Sequence, residues 1–297
     1  MPIIKKNDVM PERPVIILLY GTPGTGKTSL AGTAKNPILI DTDRGADRAC
    51  TRIDTLMASK WMDIENEKEA IKTYDTVILD TCKSCLDEYI SDYVVSQNYK
   101  LKTNGLKRFG EMADKFKDFV NFLRQNQSDI IFVCHDKEQV EGDIVKHSPE
   151  CTGQSKDLLL RIADQVGYIT MVNGQRTIVF DPTDTTVGKN VAQISPMTIP
   201  DTSSVNFQDC MANIIDKVKK ALVNKSEAQK EAQAALEEAK NKVANAKTLK
   251  DANELISVAN NLAKVHQRAF KEHVMTEMKK LGFVIKDGKF VKDEKAA

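Results

Sequence analysis

The chain has 297 residues, of which 41% are hydrophobic and 29% are charged, and its formal net charge is only +1. These values are typical of a globular protein with a substantial core, organised as one large domain or as one domain with a smaller module. They exclude a strongly basic surface over the whole chain, so any contact with nucleic acid must come from a local patch. The sequence has no apolar run of membrane-spanning length, no signal-peptide pattern and no disulfide-framework spacing among its six cysteines. It therefore predicts a cytoplasmic protein with no membrane partner.

Apolar runs alternate with helical patterns over the first 200 residues. The runs predict five strands, at 15–20, 37–41, 75–80, 129–135 and 165–172. The patterns between them predict helices at 27–34, 83–97, 109–126 and 154–163. Continuous apolar strands separated by helices are typical of a parallel sheet that is covered on both faces. Residues 174–200 predict a further hairpin or short strands, and we expect residues 1–224 to form one α/β core.

Residues 21–29, GTPGTGKTS, join the first predicted strand to the first predicted helix. They contain the G-x-x-x-x-G-K-T pattern, in which glycines allow backbone N–H groups to surround a phosphate chain at the start of a helix. The pattern assigns Lys27 as the counter-charge of the β- and γ-phosphates and the Thr28 hydroxyl as a ligand of Mg²⁺. The residues predicted to bind the nucleotide are Gly21, Thr22, Pro23, Gly24, Thr25, Gly26, Lys27, Thr28 and Ser29.

Polar residues end three other predicted strands, at the edge where a nucleotide would lie. Asp80 ends TVILD, and we expect it to hold Mg²⁺ through water. Asp41 and Asp43 end PILIDTD, where a carboxylate either deprotonates an attacking water or caps the following turn; we assign the catalytic role to Asp43. His135 ends IIFVCH as either a γ-phosphate sensor or an ordinary hydrogen-bonding residue. The predicted catalytic residues are Lys27, Asp43, Asp80 and His135.

The sequence changes character at Lys225 and becomes rich in alanine and charged residues. Two capping-box spacings predict the starts of two helices, a glycine predicts the end of the second helix, and an Asp-Gly turn predicts a small β-hairpin after it. We expect residues 225–297 to form a separate module, a helical hairpin with a terminal β-hairpin. The residues that carry these signals are Ser226 with Gln229, Thr248 with Asp251, Gly282, and Asp287 with Gly288.

Four segments in chain order, GTPGTGKT, ILIDTDRGAD, TVILDT and DIIFVCH, resemble the core of the RecA-type ATPases. They are most similar to small bacteriophage nucleotide-binding proteins that are little more than a RecA core, a group that includes single-strand annealing proteins. The resemblance covers about residues 10–200. It implies a P-loop NTPase with a parallel central sheet of order 5-1-4-3-2, ATP and magnesium as cofactors, and homo-oligomeric rings or filaments on single-stranded DNA. It also implies that Asp43 is the catalytic base, where Glu is usual, and that His135 couples ATP to a DNA-binding loop, where Gln is common.

Residues 97–110, which we call the basic segment, contain four cations, two aromatic residues and no acid. Lysine and arginine neutralise phosphates while aromatic rings stack on bases, a combination suited to single strands without sequence preference. The same composition also fits a solvated loop before a helix. The candidate DNA-binding residues are Tyr99, Lys100, Lys102, Lys107, Arg108 and Phe109.

Three further features bear on function. Cys82 and Cys85 form a Cys-x-x-Cys pair, but the sequence has no second pair, which favours ordinary core cysteines over zinc or redox chemistry. Arg176 and Lys189 are either fingers that reach the γ-phosphate of a neighbouring subunit or surface cations. The chain has HDKE where a GTPase needs Asn-Lys-x-Asp, which argues against guanine specificity.

These features predict a DNA-stimulated ATPase of phage recombination that binds single-stranded DNA and promotes strand annealing or pairing. We expect it in the host cytoplasm, with the tail contacting a single-strand-binding or replication partner. Two alternatives remain open. One is a helicase-loader or nucleotide-kinase-like P-loop protein, which would transfer phosphate to a small acceptor in the kinase case. The other is an ATP-gated interaction protein, which would bind ATP tightly with little turnover.

Overall fold

The computed structural model describes residues 12–151, 154–286 and 288–292. Their contacts divide them into two units, residues 12–222 and the residues from 223 onward. The strands of the first unit are β1 (Ile16–Gly21), β2 (Pro37–Asp41), β3 (Asp54–Met57), β4 (Thr76–Asp80), β5 (Asp129–Glu141), β6 (Ile144–Pro149), β7 (Gln165–Val172), β8 (Gln175–Val179), β9 (Lys189–Asn190) and β10 (Met197–Thr198). Its α-helices are α1 (Lys27–Ala31), α2 (Trp61–Asn66), α3 (Lys68–Ile71), α4 (Cys82–Ser84), α5 (Ser91–Gln97), α6 (Gly105–Gln125), α7 (Gln154–Ile162) and the start of α8 (Cys210–Asn245), and a π-helical segment, Cys85–Ile90, joins α4 to α5.

One sheet organises the first unit, in the order β10-β8-β7-β1-β5-β4-β2-β3, with β6 paired to β5 and β9 paired to β7. The strands from β7 to β3 are parallel to their neighbours in this order. The five strands predicted from the sequence are β1, β2, β4, β5 and β7. Their observed order is the predicted 5-1-4-3-2, so the α/β class with a mostly parallel central sheet is confirmed.

Alternation along β1 explains why its sequence is continuously apolar. Side chains with even numbers face one hydrophobic cluster, together with Phe116 and Phe119 of α6. Side chains with odd numbers face a second cluster, together with Leu30 of α1 and Met211 of α8. Burying one such side chain contributes about 1.5–3 kcal/mol, so a polar residue on either face of this strand would be costly. The two sets are Ile16, Leu18 and Tyr20, and Val15, Ile17 and Leu19.

The sequence prediction missed several elements of the first unit and placed the bounds of others wrongly. The edge strand β3 has four residues and is partly exposed, so it has no apolar run. Strand β5 extends past the predicted end at residue 135 to Glu141, because its polar second half pairs with β6 in an antiparallel hairpin. Helices α2 and α3 were also missed. Helix α6 begins at Gly105, before the predicted start at residue 109, because the Asn104 side chain accepts the backbone N–H of Lys107 at 3.1 Å.

The second unit contains the end of α8, then α9 (Leu249–Asn261), α10 (Lys264–Lys280) and the antiparallel pair β11 (Phe283–Lys286) and β12 (Lys289–Lys292). It has its own apolar core, to which α8, α9, α10 and both strands contribute. The capping box at Thr248 and Asp251 is confirmed, and Gly282 follows α10 with a left-handed φ of +77°. The β-hairpin is also confirmed, although Asp287 of its turn lies outside the described residues.

Two predictions about these helices are wrong. No helix begins at Ser226, because α8 continues without a break from Cys210 to Asn245; the capping-box spacing with Gln229 is therefore not a helix start. The predicted second helix is divided into α9 and α10, because the backbone at Leu262 is extended while its side chain is buried. The Gln267 side chain stabilises this break by donating to the carbonyl oxygens of Asn260 and Leu262.

Candidate nucleotide-binding site

The loop between β1 and α1 has the backbone that the glycine pattern requires. Gly24 and Gly26 have φ angles of +82° and +81°, in the left-handed region that favours glycine. A Cβ atom on Gly21 would lie 2.2 Å from the backbone oxygen of Ile169 in β7, so the neighbouring strand leaves no room for a side chain there. The loop therefore turns tightly at the carboxyl end of β1 and leads directly into α1.

Lys27 lies across the opening of this loop. Its Nζ donates to the carbonyl oxygens of Gly21 and Thr22, both at 2.9 Å. Burial lowers the pKa of the ammonium group, and the nearby Asp80 carboxylate opposes that shift. A partly desolvated cation is a strong counter-charge for phosphate, because it is weakly screened by water.

Thr28 and Asp80 meet at the same edge of the sheet. The Thr28 hydroxyl donates to Oδ2 of Asp80 at 2.5 Å. Burial raises the pKa of Asp80, while the hydrogen bond from Thr28 and the charge of Lys27 lower it. A hydroxyl and a carboxylate oxygen are ligand types that Mg²⁺ accepts, so the two residues fit the ion that the loop pattern implies, Asp80 through a bound water.

The two acids after β2 have different surroundings. The Asp41 carboxylate accepts the backbone N–H groups of Asp43, Gly45 and Ala46 at 2.9–3.2 Å, so the turn-capping interpretation describes Asp41. Both acids line the cavity, but Asp43 has a side chain that is 42% exposed. Its Oδ2 lies 3.6 Å from Nε2 of His135. One acid thus fixes the turn that presents the other.

His135 lies beside the phosphate loop because it is paired with Gly21 in the register of β1 and β5. Its side chain is 32% exposed, and its Nδ1 is buried with no hydrogen-bond partner among the described residues. The ring therefore presents Nε2 to Asp43 and to the cavity. This geometry places the two residues together but leaves the sensor role a prediction.

These residues line one cavity of about 810 Å³, a size typical of small-molecule and cofactor sites. Another part of its lining, which we call the cavity wall, comes from residues that the sequence analysis did not connect with the nucleotide, apart from Arg176 as a candidate finger. These residues form no recognisable sequence motif. The sequence analysis predicted only that residues 174–200 form a hairpin or short strands. The residues of the cavity wall are Arg48, Cys50, Met171, Gly174, Gln175, Arg176 and the segment 198–202.

Arg176 of β8 belongs to the cavity of its own chain. A Cβ atom on Gly26 would lie 2.7 Å from its Nη1, so the guanidinium covers the phosphate loop. Among the described residues, it also makes a long hydrogen bond from Nη2 to the Pro200 carbonyl oxygen, at 3.4 Å, lies 5.9 Å from the centre of the Phe207 ring, and interacts electrostatically with the Asp201 carboxylate. Lys189 lies elsewhere, donating to the carbonyl oxygen of Ala163 at the end of α7. The two candidate fingers are therefore not equivalent.

The basic segment is folded rather than a loop, with a 3-10 turn at Tyr99–Lys102 and the first residues of α6. Tyr99 is 73% exposed, and Nζ of Lys102 lies 5.4 Å from its ring centre. Phe109 packs against the core, with the Arg108 guanidinium 5.7 Å from its ring centre. Of the two aromatic residues, Tyr99 is therefore the one whose ring is accessible for stacking on a base. Lys100, Lys102 and Lys107 are exposed around it.

All six cysteines are free thiols. Cys82 and Cys85 are buried in the core beside Cys134 and Cys151. Burial raises the pKa of the Cys82 thiol to about 11 and that of Cys85 further, which keeps both protonated and unreactive. The geometry supports the interpretation of the Cys-x-x-Cys pair as core packing.

The phosphate loop, the Thr28–Asp80 pair and the sheet order define a P-loop NTPase with a RecA-like core. A family described as an AAA domain matches residues 13–191, more than half of the chain. The chain belongs to this family. Among 126 matching chains of solved structures is the crystal structure of the RadB recombinase, at 16% identity and a TM-score of 0.35, covering 58% of this chain and 81% of that chain. The comparison with curated proteins gives no match. No helix in the described part of the chain is long and apolar enough to cross a membrane.

Proposed function

We propose that the chain is an ATPase that binds single-stranded DNA and promotes annealing or pairing of strands in recombination, acting as a homo-oligomer. The observation that carries the ATPase proposal is the convergence of Lys27, Thr28, Asp43, Asp80 and His135 on one cavity. The DNA proposal is supported by the exposed cations and the Tyr99 ring of the basic segment. The phage setting and the annealing role follow from the sequence resemblance alone.

Each residue has a chemical role in this proposal. Lys27 and the loop N–H groups hold the phosphates, and Thr28 with Asp80 would hold Mg²⁺, which neutralises charge on the phosphate oxygens when bound. Asp43 accepts the proton of the attacking water as general base. His135, 3.6 Å from Asp43 at the end of β5, senses the γ-phosphate. The turn fixed by Asp41 orients the base before the nucleotide arrives.

An ATPase assay with and without single-stranded DNA tests the proposal, with annealing of complementary oligonucleotides as a second readout. We expect hydrolysis that DNA stimulates, and none in the variant Lys27→Ala, because that ammonium is the chief counter-charge of the β- and γ-phosphates. Circular dichroism checks that the variant is folded. A folded Lys27→Ala variant that binds ATP like the parent would show that the phosphate-loop assignment is wrong.

The same assay separates the alternatives. Phosphoryl transfer to a small acceptor, without DNA stimulation, would indicate the kinase-like protein. Tight ATP binding with negligible turnover would indicate the ATP-gated interaction protein, with the residues from 225 onward as the surface for a single-strand-binding or replication partner.

A further inference from the structure

A cluster of metal-ligating side chains lies outside the nucleotide cavity, at the base of the β5–β6 hairpin. Asp136 and Glu138 are two residues apart on β5 and so share one face of the strand. His147 of β6 is the register partner of Glu138. One potential ligand atom from each of the three residues lies within 4.8 Å of the other two.

Asp136 is the residue that makes this cluster unusual. Its side chain is only 1% exposed. Its Oδ2 lies 2.6 Å from Nδ1 of His147 and 3.5 Å from the Tyr168 hydroxyl. Its Oδ1 is buried and has no hydrogen-bond partner among the described residues. Burying a carboxylate costs free energy unless its oxygens accept hydrogen bonds or bind a cation. The unpartnered Oδ1 of Asp136 is therefore a candidate ligand atom for a cation.

We propose that Asp136, Glu138 and His147 bind a first-row divalent transition metal such as Zn²⁺, at a site separate from the Mg²⁺ site of the nucleotide. An imidazole with two carboxylates suits such ions, whereas Mg²⁺ prefers oxygen ligands alone. Ligand distances are about 2.0–2.2 Å for Zn²⁺, so the three groups must move closer. The exposed Glu138 side chain is free to make that movement.

The proposed metal site is adjacent in sequence to a residue of the nucleotide cavity. Asp136 directly follows His135, which lines that cavity. A metal that joins β5 to β6 would fix the base of the hairpin and the part of β5 that directly follows His135. This inference does not depend on ATP hydrolysis, because metal binding can be measured on the protein without nucleotide.

The site is tested by titrating the metal-free whole chain with Zn²⁺ in a calorimeter and by measuring its melting temperature at several Zn²⁺ concentrations. We expect one Zn²⁺ per chain, a rise in melting temperature with Zn²⁺ concentration, and no comparable effect of Mg²⁺. Glu138→Gln and His147→Gln should each weaken binding at least about tenfold. The matched control is Glu141→Gln, because Glu141 is an exposed acid of the same hairpin, paired with Lys146 and outside the cluster; it should bind like the parent.

Titration with Co²⁺ distinguishes this site from the cysteines. Imidazole and carboxylate ligands give weak visible bands, whereas thiolates add intense near-ultraviolet charge transfer. Zn²⁺ binding that is equal in the parent, Glu138→Gln and His147→Gln, or a thiolate spectrum, would overturn the proposal. So would absence of stoichiometric binding to a folded parent, since the Asp136–His147 contact would then be a simple hydrogen bond.

Discussion

Replacing Arg176 by alanine tests how the wall of the cavity contributes to nucleotide binding. The guanidinium covers the phosphate loop at Gly26. Among the described residues, one of its five N–H donors makes a long hydrogen bond to the Pro200 carbonyl oxygen, and the Asp201 carboxylate lies within electrostatic reach. The remaining donors of Arg176 are therefore available to phosphate oxygens. Hydrogen bonds to charged groups contribute about 1.5–3 kcal/mol, so Arg176→Ala should weaken ATP binding by about 10- to 150-fold. Arg176→Lys should give an intermediate loss, because lysine keeps the charge without the planar fork.

Calorimetric titration with ATP, ADP and adenosine measures this loss of affinity. Comparison of the three ligands shows whether Arg176 contacts the phosphates or the nucleoside. A phosphate contact predicts a loss of affinity for ATP and ADP and none for adenosine. Lys189→Ala is the matched control, because that cation lies at the end of α7, and it should leave all three affinities unchanged. An unchanged ATP affinity in Arg176→Ala, or an equal loss for adenosine, would refute the reasoning.

A mixing experiment shows whether Arg176 acts on its own chain. In an oligomer of Arg176→Ala and Lys27→Ala subunits, a finger acting between subunits would restore hydrolysis, because each intact group could serve its neighbour. The position of Arg176 over the loop of its own chain predicts no restoration. Activity recovered on mixing would assign Arg176 to the neighbouring subunit instead.

Asp43→Asn should keep nucleotide affinity and lower turnover by about 10²–10⁴, since an amide cannot accept the proton of water; equal turnover would leave Asp43 without a catalytic role. In the basic segment, alanine at its four cations should flatten the slope of log K against log salt by roughly 2–3 units on single strands. Tyr99→Ala should instead weaken binding by about 1–3 kcal/mol at nearly constant slope, and no change in either variant would identify a solvated surface. A chain that ends before Lys225 should remain folded and bind ATP, because the sheet and its covering helices lie in residues 12–222; an insoluble product would contradict separate modules.

The parts of the fold that were predictable are those in which one side chain after another is buried. Strand β1 is apolar from Ile16 to Tyr20 because both of its faces are covered, and β4 is likewise apolar at its central residues Val77, Ile78 and Leu79. Strand β3 and the β5–β6 hairpin carry polar residues on exposed faces, so their sequences resemble loops. Burial, and not pairing itself, made a strand visible in the sequence.

The candidate site was predictable where spacing along the chain fixes geometry, as in the phosphate loop. The different surroundings of Asp41 and Asp43 depend on where three backbone N–H groups point after the turn, which the sequence does not encode in residue type. The position of Arg176 depends on how β8 returns beside β7. The cluster at Asp136 depends on a cross-strand register that no local pattern reveals.

Strand β5 connects the nucleotide cavity, at His135, to a point far outside it. Its thirteen residues run without interruption from the core to Glu141. At about 3.3 Å per residue, the outer end of the strand stands roughly 20 Å beyond His135. One continuous strand therefore joins the outer end of the hairpin to the histidine beside Asp43. We expect a ligand that displaces the outer end of the hairpin to shift the backbone of His135 as well, because no loop between them would absorb the displacement.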